Sequence, residues 1–382
     1  MEAEQQFRSF YNFYRHHRID RADKTNPFKL NPYRHKLFIA KSVLILLLCI
    51  LLGLCAKSYE HRLIPNRSCI NRLINWCCFA SSLSTAFVVA WEALAGSRED
   101  VQIWNTFHAI EIALNVCNAN SQTVFEKTQR VYRVIFYTLV ALLCALAGIL
   151  LIECRIMKDA LVGYIVVFLL LSTVDMHRIL HILLYVRILT SYLRRVKGDF
   201  RIIVEMINAR IVGTNHDYEI QQKLSSCCTC YFLCIKLFEQ IQQQFTCGLF
   251  MVCLKFSIII WNEIYWTVYR AIMEKSFELY SLNMVPYHFT FICFTWTCEC
   301  LTAEIKAISQ LLNTIHLDKA SHTIRLRITH LMLLLNYEVF FFHTIGVCKV
   351  SYKCIVQFII SGATKVSFIA QIMKDFYSDM QL

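Results

Sequence analysis

The chain is 382 residues long, 57% apolar, 13% aromatic and only 17% charged, with a mean hydropathy of +0.45 and a formal net charge of +12. Globular proteins carry about 25% charged residues, so this chain lacks the polar surface that a soluble fold of its size needs. Its nine Gly and four Pro exclude collagen and low-complexity tracts, and the excess apolar surface must face lipid.

A hydrocarbon core of about 30 Å takes roughly 20 apolar residues per crossing helix. The N-terminal segment 1–37 holds eight Lys or Arg and no apolar stretch, so it does not read as a signal peptide. Apolar runs follow at Phe38–Lys57, Leu73–Leu94, Val134–Ile152, Leu161–Val186, Cys247–Tyr269, Tyr287–Leu301 (continuing toward Ile308) and Cys354–Met373. These are seven spans, and they predict an all-α polytopic membrane protein. Segments 1–37, 96–132, 187–245 and 304–353 carry 8, 3, 8 and 6 Lys or Arg, whereas 58–71, 154–160, 270–286 and 374–382 carry 2, 2, 2 and 1. Twenty-five against seven places the N-terminus in the cytoplasm and the C-terminus outside. The positive charge is thus a topology signal rather than a sign of nucleic-acid binding.

The division that results is a cytoplasmic segment at 1–37, spans one to six over 38–301, a cytoplasmic connection at 302–353, the last span at 354–373 and a short extracellular tail at 374–382. The sequon Asn66-Arg67-Ser68 falls in the first outside loop and makes Asn66 a glycosylation candidate. Outside loops are short. The long connection, 187–245, places apolar residues at three- and four-residue spacing on both sides of Gly213–Asp217, which predicts helices projecting into the cytosol.

Most of the 19 cysteines lie in spans and act as small apolar residues; Cys227, Cys228, Cys230 and Cys234 cluster, but without the spacing of a zinc site. Glycine-rich nucleotide loops, HExxH and GxSxG are absent from the sequence, so neither an enzyme nor a bound cofactor is expected. Span four is unusual in holding Asp175, His177, Arg178 and His181. Asp175 and Arg178 are one turn apart, and pairing would remove most of the cost of either charge in a membrane.

The last span carries the most ordered pattern. Gln357, Ser361, Thr364, Ser367 and Gln371 recur at intervals of 4, 3, 3 and 4, which keeps them on one face of a helix. Such a stripe suits either a water-lined path or polar helix packing. In this span the chain resembles the insect gustatory receptors, within the insect chemoreceptor superfamily. Their signature is Thr-Tyr, five mostly apolar residues and Gln-Phe; here the stretch runs from Thr364 to Ile372, with Gly346 upstream. Thr364 and Gln371 match at the right spacing, while Lys365 and Ile372 replace the Tyr and the Phe.

The resemblance implies a tastant-gated, non-selective cation channel in the plasma membrane of sensory neurons. It would be a homo- or hetero-tetramer with other gustatory receptors, with the seventh helices around the pore, Gln371 and Ile372 at the gate and Thr364 lower down. It also implies a tastant pocket in the outer halves of spans one to six. Candidates for that pocket are Trp261, Glu263, Tyr265 and Trp266 in span five, Tyr164 in span four and His288 at the mouth of span six. The same residues suit an interfacial aromatic belt. Lys365 would repel cations if it faced the pore; it lies about 100° around the helix from Thr364, so either it rests on a neighbouring helix or partner subunits supply other residues at that level.

A seven-span G-protein-coupled-type receptor is the main rival, opposed by the basic N-terminus and by the missing Asp-Arg-Tyr and Asn-Pro-x-x-Tyr motifs. An accessory subunit that conducts only in heteromers is another, and a transporter would be expected to show broken helices. An N-terminal epitope should be hidden from antibody in intact cells and a C-terminal one exposed; an exposed N-terminus would overturn this topology.

Overall fold

The computed structural model describes residues 19–21, 28–30, scattered positions from 36 to 54, 69–117, 130–145 with 148, 160–209, 217–273, 285–337, 342–344 and 348–379. The described residues are almost wholly helical. In chain order they form a short antiparallel ladder of β1 (Ile19–Arg21) and β2 (Phe28–Leu30), then α1 (Cys69–Ala95), α2 (Ser97–Cys117), α3 (130–145), α4 (Ala160–Asn208), α5 (Asp217–Met273), α6 (Val285–Leu312) and α7 (His322–Tyr337). A second ladder of β3 (His343–Thr344) and β4 (Cys348–Lys349) leads into α8 (Tyr352–Asp379). Asn66 and Gly346 lie outside the described residues.

Two helices set the proportions of the molecule. α4 runs unbroken for 49 residues and α5 for 57, or about 74 and 85 Å at 1.5 Å per residue. Both far exceed a 30 Å hydrocarbon core. Spans four and five therefore continue directly as the cytoplasmic helices expected over 187–245, with the chain reversing between Asn208 and Asp217. Trp76–Ala95 and Asp217–Val268 contain windows long and apolar enough to cross a bilayer.

The main core lies along these columns. From Ile179 to Ile207 on α4, and from Ile220 to Ile260 on α5, residues at helical spacing are buried together with the inner faces of α2 and α6. Trp104, Phe107, Tyr185 and Phe245 pack at ring separations of 5.6–5.9 Å. Farther along the same helices, Glu304 of α6 takes Arg194 at 2.6 Å and Lys197 at 2.5 Å from α4, and the Tyr192 hydroxyl donates to Glu111 of α2 at 3.3 Å. Burial pushes the Glu111 carboxyl up to about 7, against the opposing pull of that hydrogen bond and of Arg195. Cys227, Cys230 and Cys234 are buried in the same core. Burial raises the Cys234 thiol and brings Cys228 up to about 11, so both stay protonated at neutral pH.

The structure adds helices that the sequence reading did not give. The segment 96–132 contains the full helix α2, and 302–353 contains all of α7 after the end of α6, which the sequence carried toward Ile308. The last helix runs on to Asp379 and so takes in most of the expected tail. α2 and α7 mix charged residues into their apolar spacing, which gives a weak hydrophobic signal for a helix.

Candidate functional site: the last helix and the buried charges beside it

α8 has two unlike sides. One packs on α5: Phe358 lies 6.3 Å from Phe256, Val366 is buried against Tyr265, and Gly362 meets Trp261 and Ile264. A Cβ at Gly362 would stand 2.7 Å from Trp261 Cδ1 and 2.9 Å from Ile264 Cδ1, so only glycine lets the two helices approach this closely. The other side carries the polar stripe. Gln357, Thr364, Ser367 and Gln371 are exposed and Ser361 is half-buried. At about 100° per residue the stripe is turned away from the Phe358–Gly362–Val366 contact.

The stripe's hydroxyls and amides differ in what they need. Thr364 donates to the Ile360 carbonyl at 2.9 Å and Ser367 to that of Ala363 at 2.8 Å, so both are satisfied within their own helix. Gln357 and Gln371 have amide groups with two donors and two lone pairs each, and these point outward from the bundle. Ile372 is helical, adjoining Gln371.

Lys365 sits between the two sides. Its Nζ lies 3.9 Å from the centroid of the Trp261 ring on α5, which puts the charge on the packed flank of α8 rather than in the middle of the stripe. Cation–π contacts of this kind are worth about 0.5–2 kcal/mol depending on desolvation.

The aromatic candidates on α5 do not share one face. Trp261 and Tyr265, four residues apart, are committed to α8. Glu263 faces α6, where its Oε2 lies 2.7 Å from Nε2 of His288. Trp266 is half-buried beside Tyr265, with ring centroids 5.7 Å apart. Tyr164 is part of α4. Depth in the membrane grouped these residues in the sequence, but helical phase separates them.

The charges of span four are also paired differently from the sequence expectation. Asp175 and Arg178 do not pair with each other: Asp175 binds Lys255 of α5, both side chains being fully buried, and Arg178 binds Glu92 of α1 at 2.8 Å. Each charge is turned toward a neighbouring helix that offers an opposite charge within the bundle, and a pair between helices also ties them together. Glu92 in addition accepts the Gly248 N–H at 3.0 Å, and Arg178 lies 3.9 Å from the Phe245 ring centroid. The space for Glu92 exists because residue 248 is glycine; a Cβ there would stand 2.3 Å from Glu92 Oε2.

Lys255 and Glu92 are the residues that sequence reasoning missed. Lys255 was visible as a single cation inside an apolar run, which in a bilayer demands a partner. Around the pair, Tyr287 of α6 donates to the Val252 carbonyl at 3.1 Å and its ring lies 5.3 Å from Lys255 Nζ. Asp175 Oδ1, Asn262 Oδ1 and Glu263 Oε1 are buried acceptors with no donor among the described residues. His181, also on span four, has its ring centroid 4.6 Å from that of Tyr185.

Breaking a buried ion pair by removing one partner costs about 3–5 kcal/mol, whereas replacing both by apolar groups is often neutral. Lys255→Met alone should therefore reduce thermal stability and surface delivery strongly, and Lys255→Met with Asp175→Leu should recover most of both. Detergent-extracted thermal unfolding with surface biotinylation checks this; additive losses in the double variant would contradict the pairing.

The comparisons agree with this architecture. The 7tm Chemosensory receptor model matches residues 12–374. Among solved structures, the fold is similar to the insect olfactory receptor OR5 from Machilis hrabei in complex with eugenol, with a TM-score of 0.69 and 11% identity over 96% of this chain and 98% of that one. It is also similar to a second structure of the same receptor, with a TM-score of 0.63 and 11% identity over 96% and 99% of the two chains. Among curated proteins none matches. The fold is that of a seven-span membrane protein, and with the family model covering nearly its whole length, the chain belongs to the insect chemosensory receptor family, whose members are receptors and not enzymes.

Proposed function

We propose that this chain is a gustatory receptor subunit, a tastant-gated non-selective cation channel in which α8 of four subunits lines a central pore. The observation that carries this reading is the orientation of α8. Phe358, Gly362 and Val366 pack against α5, while Gln357, Thr364, Ser367 and Gln371 remain exposed on the other side of the helix. A lone subunit in a bilayer would present two glutamine amides to lipid, and each unsatisfied polar group there costs several kcal/mol. Four copies around an axis return the stripe to water, with Gln371 and Ile372 at the outer end and Gln357 toward the cytoplasm.

In this reading the receptor lies in the plasma membrane of sensory neurons, N-terminus inside, and assembles with itself or with other gustatory receptors. Asn66, in the first outside loop, would accept a glycan. The tastant would bind among the outer halves of α1, α4, α5 and α6. There Asp175, Asn262 and Glu263 each hold a buried oxygen without a donor, beside the aromatic rings of Phe256, Tyr287 and Phe291. That chemistry favours a ligand that presents hydrogen-bond donors on an apolar body, such as a polyol or a protonated amine. The similar Machilis receptor has been solved in complex with eugenol.

Expression alone and with candidate co-receptors, with currents recorded on application of sugars and nitrogenous bitter compounds, tests the reading. The expected result is a tastant-evoked cation current whose unitary conductance or permeation is altered by Gln371→Ala and whose dose–response is shifted at least several-fold by Glu263→Gln. No current in any combination would contradict the channel assignment.

A further inference from the structure

We infer that Trp261 is a determinant of ion selectivity, holding the ammonium of Lys365 on the flank of α8 and out of the conduction path. The inference rests on the pore reading above but concerns the flank of the helix beside the stripe.

Three features converge on one indole ring. Gly362 leaves the gap into which Trp261 fits, with its would-be Cβ 2.7 Å from Cδ1 and 3.3 Å from Nε1 of the ring. Lys365 follows three residues later, nearly one turn along α8, and places Nζ 3.9 Å from the ring centroid. Ile264, three residues after Trp261, fills the other side of the same gap, 2.9 Å from the position of that Cβ. The ring is thus fixed by packing against α8, and the cation lies over it. Among the described residues no carboxylate pairs with Lys365, so the ring is the feature that holds the charge.

The position of Lys365 makes this contact consequential. At about 100° per residue it is displaced by about 40° from Ser361, one turn below, and by about 100° from Thr364. It stands at the edge of the stripe, on a four-carbon stem that can swing either way. Swung toward the axis, four ammonium groups would form a ring that repels cations and attracts anions. Swung toward α5, they rest on four indoles and leave the stripe neutral. The indole is suited to this task because its face attracts a cation without carrying a charge of its own, so no carboxylate has to be buried beside the pore helix.

Reversal potentials under a NaCl gradient test the inference in channels that conduct. Lys365→Gln, and Lys365→Tyr likewise, should leave the reversal potential at its wild-type value, because the charge they remove is not in the path. Trp261→Leu keeps apolar bulk in the gap but offers no π face; it should raise relative chloride permeability several-fold, and adding Lys365→Gln should return selectivity to wild type. Trp261→Phe, which keeps an aromatic face, should remain cation-selective. The inference is overturned if Lys365→Gln alone shifts the reversal potential, since the charge would then already face the pore. It is also overturned if Trp261→Leu reaches the surface and conducts with wild-type selectivity, or if its shift survives the addition of Lys365→Gln. Should Trp261→Leu not reach the surface, the Lys365→Gln arm decides. Failure of the pore reading itself looks different: Gln371→Ala would leave permeation unchanged in the same recordings.

Discussion

A bilayer offers no water to a polar side chain, and the arrangement of this protein follows from how each polar group meets that constraint. Three solutions are present. Ionised groups pair between helices, as Lys255 does with Asp175 and Arg178 with Glu92. Hydroxyls fold back onto their own backbone, as Thr85, Thr290 and Thr364 do. The glutamines of α8 are gathered on one line with its hydroxyls and turned away from the bundle. The first two solutions hold a single subunit together; the third makes sense only in an assembly.

α5 is where these solutions meet. Its successive faces carry the ion pair toward α4, the Glu263–His288 contact toward α6 and the Trp261–Gly362 junction toward α8. Because the helix is unbroken from Asp217 to Met273, it also carries the cytoplasmic core that packs on α2 and α4. In the proposed function, a ligand near Glu263 and a pore helix held by Trp261 would therefore be separated by two residues on one rigid rod. That proximity is a physical route for coupling, since rotation of α5 by a fraction of a turn would move both contacts.

Much of this was legible in the residues. Apolar run lengths located the spans that the structure describes, three- and four-residue spacing anticipated the extensions of α4 and α5, and the intervals of the stripe gave its place on the exposed side of α8. What escaped was helical phase and partner choice. Asp175 and Arg178 are neighbours in sequence, so local reasoning joined them, but the partners that bind them lie on other helices and more than 75 residues away in sequence. Trp261 and Glu263 share a depth, which suggested one pocket, yet two residues of helix turn them to different neighbours. α2 and α7 escaped because charged residues interrupt their apolar periodicity, and it is tertiary packing that makes them helical.

The central claim is that the polar side of α8 borders water in the assembled receptor. It is tested most directly by placing single cysteines along the helix and measuring how fast a charged, membrane-impermeant thiol reagent alters the current, relative to the unsubstituted channel. The account predicts rapid modification at 357, 361, 364 and 367, with slow or no reaction at Ile359 and at Val366, which is buried against Tyr265. Equal rates around the helix, or fast modification confined to the Ile359 side, would contradict it.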